Sequence, residues 1–145
     1  MVDFKALLKQ RVADVKRPPP MPTGTYKAVV TDIKPGQSRQ KKTPLLSFSY
    51  RVVEPMADVD AEALALVPKW HGKEMTQDWY LTEDALYRLG EHITKHLGID
   101  IGERTYDEVL PECKMKEVYI HVVQNPSAKP GSDEVYNNIS EFSKV

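Results

Sequence analysis

The chain has 145 residues, a net charge of −1, 41% hydrophobic and 28% charged residues. That is enough for one domain with a substantial core, and it excludes a chain disordered throughout. No apolar run approaches the roughly 20 residues of a membrane span, and the single cysteine, Cys113, excludes an internal disulfide. The first residues lack an apolar signal segment. A lone cysteine and no signal lead us to expect a reducing compartment, a cytoplasm.

The near-neutral total conceals an asymmetry. Residues 1–53 carry eleven Lys and Arg against three Asp, a balance of +8; residues 54–145 carry nine against eighteen, a balance of −9. An anionic partner for the basic half is one reading, and charge that simply mixes on folding is the other.

Residues 1–17 have the spacing of a short amphipathic helix, with Phe4, Leu7, Leu8, Val12 and Val15 on one stripe and Asp3 as N-cap. Pro18 to Pro20 and Pro22 impose an extended connection. Residues 1–20 are thus an appendage that would dock on the domain, pair with a second copy, stay partly disordered or, as a basic amphipathic helix, meet a membrane surface, with docking the commonest fate of such a stripe; residues 21–145 form the domain. Strand one is expected over 24–34 and strand two over 45–54, both rich in β-branched and aromatic residues. Residues 55–71 read as an irregular insertion with room for a helical turn, and strand three as 72–81. Thr82 then opens a helix with Leu86, Leu89, Ile93 and Leu97 as its buried stripe and Gly98 as its stop. A short helix around 106–110, strand four over 115–124, a loop at 125–134 and strand five over 135–142 follow. Five strands with a helix between the third and fourth is the order of an OB-fold, a small Greek-key barrel. The expected fold is therefore mainly β: an OB-like five-stranded barrel with an N-terminal helix.

In that fold the loops after strands one and four flank a groove across strands two and three. Here the first of those loops carries Arg39, Lys41 and Lys42, and no Asp or Glu occurs between Asp32 and Glu54. A flexible basic loop beside aromatic strands suits a single-stranded nucleic acid, since cations meet phosphates and ring faces stack on bases. The candidate cations are Lys34, Arg39, Lys41, Lys42 and Arg51. Among the aromatics, strand alternation assigns Phe48 and Trp79 to the core, leaves Tyr50 between core and surface, and turns Tyr80 and Tyr119 outward. The loop ranks first, followed by Arg51 and Tyr50. Glu74 and Asp78 on strand three would repel phosphates sharing their face.

Several pieces occur together: Pro22-x-Gly24-x-Tyr26, the strand pair with its basic loop, Gly72-Lys73, Trp79-x-Leu81-Thr82 entering a helix, Leu97-Gly98 closing it, and Tyr136-Asn137-Asn138-Ile139. In this order, over residues 20–143, they resemble phage-encoded single-stranded DNA-binding proteins, small OB-fold proteins of phage replication and recombination. The resemblance implies non-sequence-specific binding of single-stranded DNA and replication or recombination proteins as further partners. For a phage-encoded chain it implies the host bacterial cytoplasm. Housekeeping bacterial single-strand binders end in a long linker and an acidic, Phe-terminated tip. This chain ends Ser140-Glu-Phe-Ser-Lys-Val145, so recruitment through such a tail is not expected.

No enzyme is expected, and neither a cofactor nor a metal. His92 and His96 are four apart on the helix, yet Ile93 stands where a zinc protease needs Glu, and both read as solvent-facing histidines. Cys113 has no paired cysteine or evident base. An alternative function of another class is a protein-interaction module that engages a host replication or nuclease factor through the N-terminal helix. RNA binding is a third, because stacking does not distinguish RNA from DNA.

Overall fold

A computed structural model describes residues 19–126 and 135–145. The expected helix at 1–17 and most of the loop at 125–134 lie outside the described residues. The remaining order is β1 (Gly24–Gln37), β2 (Pro44–Pro55), α1 (Ala61–Ala65), β3 (Glu74–Tyr80), α2 (Glu83–Glu91), a π-helical turn (His92–His96), α3 (Tyr106–Cys113), β4 (Glu117–Pro126) and β5 (Val135–Lys144). Every strand expected from the sequence is present, and so is the helix between β3 and β4.

The five strands form one antiparallel sheet in the order β3-β2-β1-β4-β5. The closed barrel expected from the sequence is not formed by backbone pairing: among the described residues no ladder joins β3 to β5. The two edges approach through side chains instead, with the Trp79 and Phe142 rings 5.6 Å apart. Register shifts in β1 at Lys27/Ala28 and Val30/Asp32, and in β4 at His121/Val122, mark bulges, which raise local twist.

Alternation sets the core. Tyr26, Ala28 and Val30 of β1, Leu46, Phe48, Tyr50 and Val52 of β2, Met75 of β3, and Val118, Ile120 and Val122 of β4 are buried together. Leu89, Ile93 and Leu97 of the expected stripe fill the same core from the helix, whereas Leu86 is half-buried outside it, and Val109 and Cys113 join from α3. Gly98 stops the helix in the left-handed region at φ +72°, which costs glycine least. Thr82 stands at the N-cap, but its hydroxyl makes no capping bond. The insertion after β2 holds α1, capped by Asp60, whose carboxylate accepts from the Glu62 and Ala63 amides.

Candidate nucleic-acid interface

The β1–β2 loop is residues 38–43, and its own residues order it. The Ser38 amide donates to the Thr43 carbonyl (2.9 Å), the Lys42 amide to the Ser38 carbonyl (3.1 Å), and the Thr43 amide to Ser38 Oγ (2.9 Å). Three bonds on one serine close the loop at its base. The loop described as flexible from sequence thus has a fixed frame that projects its cations. Lys42 takes φ +52°, a strained setting for a residue with a side chain, which this tight turn requires.

The loop lies against the end of β3. Leu45 pairs with Tyr80, and the Leu81 amide donates to the Pro44 carbonyl at 2.9 Å. Ser38, Arg39, Gln40, Lys41, Thr43 and Tyr80 consequently line one open concavity of about 450 Å³. Tyr80 is 44% exposed there, so its ring is available beside two cations. This joins three residues expected at the site: Arg39, Lys41 and Tyr80. Lys42 is exposed in the same loop but does not line the concavity.

The other expected residues fall elsewhere. Lys34 is exposed on β1 and lies 3.6 Å from Asp32, which partly satisfies its charge. Arg51 is exposed on β2, paired across the ladder with Glu74. Six residues of β2 separate Arg51 from the Tyr80 partner Leu45, about 20 Å at about 3.4 Å per residue. Tyr119 is half-buried next to Lys27, which in turn pairs with Glu54, nine residues along β2 from Leu45. That places Tyr119 about 30 Å from the loop end, too far to share its concavity.

Tyr50 is a correction: it is fully buried and cannot stack on a base. The hydroxyl explains why a polar-tipped ring is tolerated in the core. Trp79 Nε1 donates to the Tyr50 oxygen at 3.3 Å, and that oxygen lies 2.8 Å from His92 Nε2. His92 Nδ1 is 2.9 Å from His96 Nδ1. Only one proton assignment satisfies every group. Indole nitrogen can only donate, so the Tyr50 proton goes to His92 Nε2; His92 then donates from Nδ1 to His96. The reverse assignment leaves the tyrosine proton without an acceptor. The expected solvent-facing His92 is therefore also corrected. It is wholly buried, enclosed by Phe48, Tyr50, Trp79 and Phe142 at ring distances of 4.4–5.9 Å. The π-helical turn, rare in regular helices, begins at His92. Burial, and secondarily His96, pushes the His92 pKa down to about 3. Burial also raises the Tyr50 pKa, so both stay neutral.

Among the described residues no group of three or more His, Cys, Asp and Glu could hold a metal ion, and no helix is long and apolar enough to cross a membrane. The Cys113 thiol is buried in the core, and burial pushes its pKa up to about 11. No protein-family model and no curated protein matches the chain.

Proposed function

We propose that this chain binds single-stranded DNA without strong sequence preference, holding the strand passively and carrying out no catalysis. The observation that carries this reading is the concavity in which Arg39 and Lys41 flank the exposed ring of Tyr80. Cations beside an exposed ring match what any single strand presents, phosphates and π-faces, and ask nothing of its sequence. The ladder order supports it as well. β3-β2-β1-β4-β5 is the order of an OB barrel opened between its third and fifth strands. OB-folds are partly open barrels that bind oligonucleotides on strands two and three beside the first loop. Bound in that way, a strand would be kept from reannealing, a role suited to phage replication or recombination.

Fluorescence anisotropy with labelled oligo(dT) at low salt tests the proposal, with duplex DNA and oligo(U) as competitors. Binding to oligo(dT) that duplex displaces poorly is expected. No binding at low salt removes the proposal, and stronger competition by oligo(U) redirects it to RNA.

A further inference from the structure

The unclosed seam between β3 and β5 is not empty surface. It is a groove of about 780 Å³, reaching from Lys69 and Lys73 across Thr76 to Tyr136 and Asn138. We infer that this groove is a second contact point for the same single strand, in which Lys69 and Lys73 each take a phosphodiester and Tyr136 takes an unstacked base. The inference rests on the single-strand reading above.

Three observations favour that occupant. First, the segment carrying the lysines is preset. The Gly72 amide donates to the Val52 carbonyl (2.9 Å), and the Val52 amide donates to the Lys73 carbonyl (2.8 Å), so the turn is fastened to β2. Second, the opposite wall pairs an aromatic ring, 48% exposed, with the exposed amide of Asn138. Its neighbour Asn137 bonds both the amide and the carbonyl of Met21 at 2.9 Å through its side chain, which steadies this end of β5. Third, Glu74, the one carboxylate among the described residues that line the groove, has partners of its own. It accepts from Thr31 Oγ1 (3.3 Å) and faces Arg51 across the ladder.

The geometry links the two places. Tyr80 ends β3 at the loop concavity, and Met75 lines the seam groove five residues earlier, about 17 Å away. That separation lies within the roughly 4–16 nucleotides one OB domain covers.

The test is (dT)16 binding by anisotropy across a salt series. Lys69→Glu with Lys73→Glu should lower affinity about tenfold or more at low salt and flatten the log–log salt slope by about 1.4, two phosphate contacts' worth. Tyr136→Ala should weaken binding about 5- to 150-fold, the range for losing one stacked base. The same charge reversal at Lys95 and Lys144, away from both concavities, should change the slope far less. Both groove lysines are exposed, and a thermal melt checks that the variants fold. If the unaltered chain binds and the groove reversal leaves affinity and slope intact, the inference falls alone. If the unaltered chain fails to bind at low salt, the single-strand reading falls and takes the inference with it.

Discussion

Two side chains make demands on one buried hydroxyl, that of Tyr50: it accepts from Trp79 and donates to His92. Tyr50→Phe keeps the ring but leaves an indole N–H and an imidazole nitrogen short of partners. We expect a loss of about 1–3 kcal/mol in urea unfolding with oligonucleotide affinity unchanged; a clear drop in affinity at full stability would put Tyr50 back in the interface. His92 makes the same network sensitive to acid. Its folded pKa, about 3, lies below the ordinary histidine value of 6.5, so between these values the unfolded chain holds a proton that the folded chain refuses. Its contribution is complete above about pH 6.5 and is lost as pH falls toward 3, on the order of 3 kcal/mol between pH 7 and pH 4. His92→Phe should remove most of that dependence, and an equal acid sensitivity in the variant would assign it to other groups. Neither role was legible from sequence. Alternation places Tyr50 on the face of Phe48 yet leaves it between core and surface, and only the helix supplies the partner that lets its hydroxyl be buried. The turn carrying His92 is π-helical, and a spacing of 3.6 residues per turn does not anticipate that.

At the scale of elements, the loop between β1 and β2 works through its frame as well as its charge. Ser38 accepts from the Thr43 amide through its side chain and bonds Thr43 and Lys42 through its backbone. Ser38→Ala removes only the side-chain bond. It should loosen the loop and weaken oligonucleotide binding modestly, with little change in melting temperature, since the residue is half-buried in a loop outside the core. Arg39→Glu with Lys41→Glu should weaken binding about tenfold or more at low salt, and Lys42→Glu less, because Lys42 does not line the concavity. Equal effects from the two would mean that the loop acts as a diffuse charge and the concavity is irrelevant. Strand periodicity located this loop and turned Tyr80 outward. The neighbourhood of loop and ring comes from the Leu45–Tyr80 pairing, which is a matter of register between strands far apart in sequence. For the same reason Tyr119, outward by the same counting, belongs to a distant part of the sheet.

At the scale of the molecule, among the described residues the charges of the two halves of the sequence mix within the sheet. Lys27 lies between Glu54 and Glu117, Asp32 lies 4.0 Å from Lys114, and Arg51 is opposite Glu74. The strands of the basic half sit between acidic neighbours because the sheet order interleaves them. Among the described residues Arg39, Lys41 and Lys42 form no ion pair, so the loop keeps the unbalanced positive charge. The bland reading of the asymmetry therefore holds for the sheet, and the functional one survives in the loop. This bounds the electrostatics of binding. With about three to five phosphates neutralised, the slope of log affinity against log salt should be near −2 to −3.5 for a single strand. On the proposed reading a ring takes an unstacked base beside those contacts, so duplex DNA, whose bases are stacked inside, should bind more weakly at every salt concentration. A slope near zero with affinity retained would move the binding energy to apolar contacts and remove the loop from the account. A much steeper slope, with duplex preferred, would mean that the protein reads backbone charge alone and that Tyr80 faces solvent for some other reason.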